Sequence, residues 1–459
     1  MKLRIDEYGH LKQVVVLLFC CVISENLLAL SQGSKEPEYK AVDYNVQADI
    51  AYLDVDDRDM GTRKGGDESS LSLFLRPEIS WNISPAWQLY SKASLFTSTD
   101  VFSLDDDDGG SKTDGFISIN ELWARYHLSP GRQGSAIQLG RLRIRESSGA
   151  WWDQDIESIR YSYETRQING FIGIAEKLDA YRSDNTDYDE SDDDIFNILG
   201  QWDYQWRYQH HIALRFLYSD DKSDSNANDM DDLDALWVGA GLQGRWNTAA
   251  GKIRYTSDLM VMDGDLDVVE KSGSGLAITE KSLSGWAMDA RIWHSWKAPL
   301  KPRLGLQFAL TDSDGDFRQT GLQSNRAYLT DLKTRFYRYG ELYRPELSNI
   351  QIITVFAGMD WQRIHELNIA AHHYTRRNEQ RAVVDKGISA ALIDGESSLG
   401  SEIDLIYTWN MKGDNGKSYL GSKRMYLKAG LSVFMGGDAY GDEIDNAVYQ
   451  ATIKYGVKM

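Results

Sequence analysis

Three arginines at alternate positions, Arg141, Arg143 and Arg145, are the residues whose type and spacing most directly suggest chemistry. An extended strand sends alternate side chains to one face, so the three guanidinium groups would line one side of a sheet. Arginine binds carboxylates through paired hydrogen bonds and stays charged. The row therefore predicts a binding track for a polyanion, in a channel that selects anions and loses that preference when all three become glutamate.

Other charged residues also lie opposite apolar faces when the strands are read by alternation. A charge that faces hydrocarbon at the centre of a bilayer costs about 2–4 kcal/mol, so inward placement is expected in a membrane barrel. The arginines are Arg76, Arg125, Arg160, Arg215, Arg245, Arg254, Arg291 and Arg303, and the acids are Glu121, Asp289, Glu402 and Asp404. Two readings stay open: a substrate-binding track, or pairs that stiffen the lumen.

Patterns for catalysis or metal binding are weak. His210–His211 and His372–His373 are adjacent pairs, and neighbouring side chains on a strand point to opposite faces, which prevents each pair from sharing a metal ion. Asp312–Asp316 resembles a calcium loop but lacks the spacing and final glutamate of an EF-hand. No nucleophile elbow, metalloprotease motif or phosphate loop is present. We expect neither enzymatic activity nor a cofactor nor a resident metal, while calcium binding by the acidic loops stays open.

The elements that carry these residues are alternating strands. The stretch Gln138–Glu164 reads as a hairpin with an arginine-rich face and an apolar face of Ile159, Tyr161 and Tyr163. Similar alternation recurs along the chain, which has only 7 Pro but 39 Gly, 25 Tyr and 14 Trp. After the first 30 residues no apolar run approaches the length of about 18 residues that a membrane helix needs. The pattern predicts an all-β protein, a single transmembrane antiparallel barrel of about 18 strands.

The connections support this barrel. Long acidic loops such as Asp54–Ser70 alternate with short turns such as Asn82–Ala86, the asymmetry expected of a bacterial outer-membrane barrel. Alternation also continues to the final residue, as in a last strand that closes on the first. The net charge of −19 comes mainly from loop acids. It does not oppose an anionic cargo, because exposed charges are screened beyond about 8–10 Å.

The first residues read as a targeting segment. Residues 1–31 have a basic start, an apolar stretch and small residues near Ser31, and are expected to be a signal peptide. Residues 32–459 are then the barrel with its long extracellular loops. Both cysteines, Cys20 and Cys21, fall in the leader, so neither disulfides nor cysteine-bound metals are expected in the mature chain.

Several motifs resemble those of the alginate-export family of outer-membrane porins. The resemblance spans nearly all of the expected mature chain. The matching stretches are Leu139–Arg141, Trp151–Asp153, Glu157–Tyr161, Gly173–Ala175, Arg338–Glu341, Arg344–Asn349, Leu399–Leu405 and Gly437–Gly441. It implies an 18-stranded monomeric barrel that passes an anionic uronate exopolysaccharide through an arginine-lined constriction. The departures are the terminal Met459 and very acidic outer loops.

The resemblance also implies roles for particular segments. Asp312–Asn349 would fold into the lumen, which adds Arg335, Arg338 and Arg344 to the candidates, and Asn410–Lys423 would be a long periplasmic connection that gates the pore. The expected partners are an anionic polysaccharide, outer-membrane lipid and a periplasmic export scaffold, with no nucleic acid. An alternative function is uptake of small anionic sugars or sugar acids through a substrate-specific porin. The residues name neither the polymer nor the direction of transport.

Overall fold

The computed structural model is a barrel of antiparallel strands. It describes residues 42–61, 68–102, 113–128, 134–179, 181–183, 194–223, 231–272, 275–314, 316–328, 334–411, 424–441 and 447–459. The expected signal peptide, and nearly all of the expected gating connection Asn410–Lys423, lie outside these residues.

The strands are β1 (Val42–Asp56), β2 (Glu68–Asn82), β3 (Trp87–Phe102), β4 (Thr113–His127), β5 (Ser135–Arg145), β6 (Asp153–Glu164), β7 (Ile168–Glu176), β8 (Ile195–Arg207), β9 (His210–Asp221), β10 (Asp231–Asn247), β11 (Gly251–Ser272), β12 (Gly275–Trp296), β13 (Arg303–Thr311), β14 (Arg326–Ala327), β15 (Phe336–Tyr337), β16 (Ile350–Trp361), β17 (His365–Arg376), β18 (Ser398–Met411), β19 (Arg424–Gly436) and β20 (Ala447–Lys458).

Eighteen of these strands form one closed sheet, which confirms the predicted fold class. All of these pairings are antiparallel. Each strand pairs with the next one along the chain, except that β13 pairs with β16, which follows the long connection 312–349. The last strand closes on the first, from Gln47 opposite Lys458 to Asp56 opposite Tyr449. Within the described residues no helix is long and apolar enough to cross a membrane.

The closing seam is held by an inward-facing carboxylate. Asp49 of β1 is ion-paired with Arg76 of β2, and it lies 3.3 Å from the Lys454 ammonium of β20. The Tyr426 hydroxyl of β19 donates to the same carboxylate at 2.7 Å. The Asp49 side chain has no exposed surface, so its charge is compensated entirely by neighbouring strands. Four consecutive strands are therefore joined at one residue.

The outer surface of the barrel is apolar and edged with aromatics. On β2, Leu71, Leu73 and Leu75 are more than a third exposed, while Arg76 lies on the opposite face. At the end of the barrel where the connections are short, exposed aromatic residues close several strands, a distribution typical of the water interface of membrane barrels. These residues are Trp87, Tyr126, Trp206, Trp246, Trp296 and Trp409.

One hairpin leaves the wall of the barrel. The pairing of β4 with β5 stops at Leu122–Arg141, and that of β6 with β7 stops at Glu157–Glu176. Beyond this level the edge of β4 pairs instead with the connection after β7, where Ser118 bridges Arg182. The free hairpin tip, residues 142–156, packs inside the lumen. Its apolar side joins the buried core, through Leu142, Ile144 and Ile156.

Gly140 is the position at which the hairpin turns inward. Its φ angle is +123°, a conformation that residues with a side chain rarely adopt. Strict alternation would place Arg141 on the side of Leu139, which is 57 % exposed toward the outer surface. Because the backbone turns here, Arg141, Arg143 and Arg145 enter the lumen on one face of the hairpin and the apolar residues occupy the other.

Gly140→Ala should therefore destabilise the barrel at one defined point. A Cβ at this position would lie 2.3 Å from the Leu122 carbonyl oxygen, and the positive φ adds strain of about 1–3 kcal/mol. We expect heat-modified migration in detergent to begin at a lower temperature. Gly115→Ala on the preceding strand is the control, since its Cβ would meet its nearest neighbour at 3.4 Å. Equal loss in both variants would contradict the hinge.

The described residues of the long connection 312–349 also lie inside the barrel, as the resemblance implied. It carries the short pair β14–β15 and buries the side chains of Phe317, Tyr339, Tyr343 and Leu347. It docks against the hairpin tip, where Thr320 donates a hydrogen bond to the Trp151 carbonyl and Gln319 donates one to the Ala150 carbonyl. We call this connection the lumenal segment. The core of the protein is thus inside the barrel, between this segment, the hairpin tip and the wall.

Candidate functional site

The lumenal segment is anchored to the wall by two carboxylates of β18. Glu402 accepts the backbone N–H groups of Leu342 at 2.7 Å and Tyr343 at 2.9 Å. Asp404 accepts the N–H of Glu341 at 3.2 Å, and the Nε2 of His372 lies 3.3 Å from the same carboxylate. All four carboxylate oxygens are enclosed, because Glu402 and Asp404 are at most 1 % exposed. These two expected inward acids hold the segment in place.

Asp153 is a second anchor, between the hairpin and the lumenal segment. Its carboxylate accepts hydrogen bonds from Arg143 at 2.6 Å and from Arg335 at 2.7 Å. The Ser324 hydroxyl donates to it at 2.9 Å, and the Nε of Arg145 lies 3.8 Å away. Burial by itself would disfavour the charged form of this carboxyl, and the convergent arginines compensate. Two of the three row arginines thus meet at one internal anion.

The remaining row arginine is also ion-paired. Arg141 donates to Glu157 on β6 at 2.8 Å, and its guanidinium lies 4.7 Å from the ring centroid of Tyr181. Arg143 further reaches Asp155 at 3.1 Å. The row predicted from the sequence therefore exists inside the lumen, but its charges are largely matched by acids of the partner strand, which alternation could not reveal.

Arg125 and Arg160 differ, because the side chain that lies between them is neutral. Gln138 of β5 lies opposite Arg125 on one side and Arg160 on the other, which places the three side chains in one row across β4, β5 and β6. Arg160 donates to the Gln138 side-chain oxygen and lies 5.4 Å from the ring centroid of Phe171. Within the described residues no carboxylate lies within ion-pair distance of either arginine, and the Nε atoms of both are buried without a hydrogen-bond partner. This row can accept an external anion.

Lys92 and Glu121 lie beside this row. Their side chains form an ion pair of 3.3 Å between β3 and β4. Glu121 also accepts a hydrogen bond from the indole of Trp123 at 3.4 Å. The expected inward acid is therefore compensated by a lysine and an indole, so it leaves the positive charge of the neighbouring arginines in place.

Arg338 and Arg344, proposed through the resemblance, have different settings. Arg338 has no exposed surface and is ion-paired with Asp289 of β12, so in this structure it ties the lumenal segment to the wall. Arg344 is partly exposed, donates to the Glu341 carbonyl at 2.6 Å and lies 4.3 Å from the ring centroid of Tyr337. A guanidinium held by a carbonyl and a ring keeps its charge uncompensated.

Two cavities flank the hairpin tip. The turn-side chamber, about 490 Å³, lies toward the short turns, and four arginines and one carboxylate are its charged lining residues: Arg215, Arg254, Arg291, Arg424 and Asp258. Arg215 is ion-paired with Asp258. Arg291 instead donates to the Tyr328 carbonyl at 2.8 Å, and Arg424 donates to the Asn410 side chain at 2.8 Å. This chamber has a strong excess of positive charge.

The loop-side chamber, about 910 Å³, lies toward the long connections. Its charged lining comprises six basic residues, Arg141, Lys177, Lys281, Arg318, Arg381 and Lys386, and five acids, Asp155, Asp221, Asp231, Asp316 and Glu346. Several of these are paired, as Arg381 and Lys281 are with Asp316. Charged side chains line both chambers, but only the turn-side chamber has a large excess of basic over acidic residues.

Arg424 was not predicted from the sequence, and neither was the gathering of four arginines around one cavity, the turn-side chamber. Arg215, Arg254 and Arg291 were expected to point inward, but nothing in their spacing shows that β9, β11 and β12 bring them together. Arg424 is the first residue of β19, so no earlier strand residue shows which face its side chain would occupy. The remaining expected arginines, Arg245 and Arg303, lie near the short turns, where Arg245 donates to Gln209 and Arg303 pairs with Asp360.

The histidines serve hydrogen bonds within the wall. His210 lies 2.9 Å from the Tyr255 hydroxyl, and His372 lies between Thr354 and Asp404. Their neighbours His211 and His373 approach Asp203 and Ser401. Among the described side chains no group of three or more histidines, cysteines and acids is arranged to hold a metal ion. Asp316 of the calcium-like stretch is engaged by Lys281 and Arg381 instead.

Outside the membrane-spanning strands, one carboxyl has an unusual setting. Asp385 lies in the connection between β17 and β18, and burial raises its pKa to about 6 from the usual 3.8. The backbone N–H groups of Ile388 at 2.9 Å and Gly387 at 3.1 Å donate to it and partly oppose this rise. The carboxyl is thus held where its charged form is poorly solvated.

This pKa predicts a pH-dependent stability of the β17–β18 connection. A carboxyl whose pKa is higher in the folded state favours folding most when it is protonated. Stability should fall as pH rises from about 4 to about 6, by up to about 3 kcal/mol, and stay level above that. Hydrogen exchange of this connection measured across the range should show the loss. Asp385→Asn should remove it, and an unchanged pH profile in that variant would assign the effect to another group.

Comparison with known proteins agrees with the fold. The Alginate export family model matches residues 42–454. The chain is 27 % identical to the alginate production protein AlgE of Pseudomonas aeruginosa, over 87 % of this chain and 88 % of that protein. It is 26 % identical to the protein of the same name from Azotobacter vinelandii, over 89 % and 92 % of the two chains.

Solved structures share the fold at low identity. Pseudomonas aeruginosa OpdK, determined with vanillate, aligns with a TM-score of 0.58 at 11 % identity, over 92 % of this chain and 99 % of that one. Pseudomonas aeruginosa OccK5 (OpdH) aligns with a TM-score of 0.57 at 9 % identity, over 92 % and 99 %. At these identities the likeness concerns the barrel architecture alone.

Proposed function

The chain belongs to the alginate export family, and from that membership we propose that it exports an anionic, uronate-type polysaccharide through an arginine-lined pore. The protein is a β-barrel of the bacterial outer membrane, and its family and fold are those of a transport channel. The short turns then face the periplasm and the long loops face the outside. The relatives named for alginate production favour an alginate-like cargo.

The observation that carries this proposal is the set of lumenal arginines without an acidic partner. Within the described residues none of these arginines is ion-paired with a carboxylate, and four of them donate to neutral oxygens instead: Arg125, Arg160, Arg291, Arg344 and Arg424. Each keeps hydrogen-bond donors and a full positive charge available, which is the chemistry that binds a sugar carboxylate. They occur on different sides of the lumen, so a polymer can exchange one guanidinium for another as it moves.

The ion-paired arginines have a different role in this proposal. Arg76, Arg141, Arg143, Arg145 and Arg338 hold the seam, the hairpin and the lumenal segment together. They shape the passage and contribute to its potential. We expect Arg141 and Arg143 to meet the polymer when it displaces Glu157 or Asp155 from their guanidinium groups, while fully enclosed Arg338 acts as a positioning residue.

The experiment has two parts. In planar bilayers, the reversal potential across a salt gradient should show that the native channel prefers anions. In a producing bacterium, deletion of the gene should leave uronate polymer in the periplasm and reduce it in the medium, and the plasmid-borne gene should restore secretion. Unchanged secretion with impaired growth on sugar acids would instead establish the uptake porin. A native channel that prefers cations would exclude both anionic cargoes.

A further inference from the structure

The periplasmic turns are basic. Their exposed cations lie in the turns themselves or in the last residue of a strand: Arg166, Arg207, Lys297, Lys301 and Arg363. None of the described residues in the turns 83–86, 165–167, 208–209, 248–250, 297–302 and 362–364 is acidic, and Glu164 is the one acid among the described strand residues that adjoin these turns. Lys301 forms an ion pair of 3.0 Å with Asp360 of β16, and the other four cations are exposed. The periplasmic rim therefore carries a net positive charge.

The part of the lumen next to this rim also carries a net positive charge. The charged lining of the turn-side chamber is four arginines against one aspartate, a net charge of +3. The loop-side chamber has six basic and five acidic residues, a net charge of +1, in a cavity of larger volume. The density of positive charge thus falls from the periplasmic side of the hairpin tip to the other side.

The outer end of the barrel is acidic. On β10, β11 and β12 carboxylates stand directly opposite one another, with Asp232 paired to Asp267 and Asp267 paired to Glu280. Asp234 likewise faces Asp265, although like charges in such positions destabilise a sheet. Asp234 accepts a hydrogen bond from the Asp221 N–H at 2.8 Å and Asp265 accepts one from the Ser282 hydroxyl at 2.7 Å, neither of which neutralises the charge. These carboxylates set a negative potential at the outer end.

From these three levels of charge we propose that the barrel is electrostatically polarised along its axis, so that anionic uronate chains are captured at the periplasmic mouth and released at the outer one. The inference rests on the proposed function and adds a gradient of charge along the axis of the barrel. A basic mouth of low-dielectric walls concentrates anions and accelerates their capture. An acidic exit lowers the affinity for the same anions, which prevents a strongly bound state there.

Capture should therefore depend on the side of addition. In a bilayer of neutral lipid, a short oligomer of galacturonic acid should block the chloride current about tenfold faster from the periplasmic side than from the outer side at low salt. Screening should remove most of this difference at high salt. Orientation is read with an impermeant thiol reagent on Ala391→Cys, an exposed neutral position in the connection between β17 and β18, because the native cysteines, Cys20 and Cys21, both precede the barrel.

The rim variant is Arg166→Gln with Arg207→Gln and Arg363→Gln, which should bring the two blocking rates close together. The matched control is Lys222→Gln with Arg377→Gln, two exposed cations at the outer end that line neither chamber, and it should retain the native asymmetry. An anion-selective channel that is blocked equally from both sides would overturn the polarity and leave the proposed function standing. A channel without anion selectivity would overturn both. An asymmetry that survives the rim variant would also overturn the capture role of the rim.

Discussion

A channel in which Arg125 and Arg160 are both replaced by glutamate is expected to prefer cations. The two guanidinium groups flank Gln138 and have no ion-paired acid within the described residues. Each substitution inverts the charge of a side chain that has no ion-paired carboxylate, so the potential along this side of the lumen should change sign. The reversal potential across a salt gradient measures the effect directly, and it should move through zero.

Arg141, Arg143 and Arg145 are less suitable for this test than their spacing suggested. Glutamates at the first two positions would face Glu157, Asp153 and Asp155 across the hairpin, and the repulsion would threaten its fold. The control for the double variant is Lys222→Glu with Arg377→Glu, two exposed cations at the outer end that line neither chamber. Should the Arg125 and Arg160 variant keep its anion preference while the control loses it, the selectivity would reside in the loops.

Glu402→Ala should release the lumenal segment. The substitution removes the acceptor of the Leu342 and Tyr343 N–H groups, and of the Tyr374 hydroxyl at 3.1 Å. Each donor left unpaired in a buried site costs about 1–3 kcal/mol, so the docked arrangement should lose several kcal/mol. We expect a larger single-channel conductance with more frequent fluctuations, and faster proteolysis of the segment in detergent.

His373→Ala is the matched control, because this exposed residue lies on β17 next to the buried His372 and its ring approaches Ser401 at 3.0 Å. Its conductance should stay at the native level. A second variant, Glu402→Gln, keeps one acceptor oxygen and should fall between the two. If Glu402→Ala forms folded barrels of native conductance, the segment is held by its apolar contacts instead.

The barrel itself could be predicted from the sequence because its physics is local. The two-residue period predicted about 18 strands, and 18 strands form the wall. Lipid on one face and water on the other impose this period on every strand. Short and long connections alternate along the chain, so their placement at opposite ends of the barrel could also be predicted.

The interior could not be predicted in the same way. One positive φ at Gly140 moves a hairpin from the wall into the lumen, and glycine is common enough that its type alone does not reveal this. Ion pairs such as Arg338 with Asp289 join residues whose strands and segments meet only in the folded barrel. Alternation could identify inward-facing arginines, but it could not say which ones have an acid opposite.

The Asp49 seam also has a consequence for how the chain folds. Arg76 is 27 positions away from Asp49 in sequence, whereas Tyr426 is 377 positions away. Bringing the ends of the longer loop together costs about 2 kcal/mol more in chain entropy than closing the shorter one. Neighbouring hairpins should therefore form early, and the contact between first and last strands should form late and limit the rate. Until then both edges of the sheet are open, so a nascent barrel depends on being shielded from other chains while its final strand arrives.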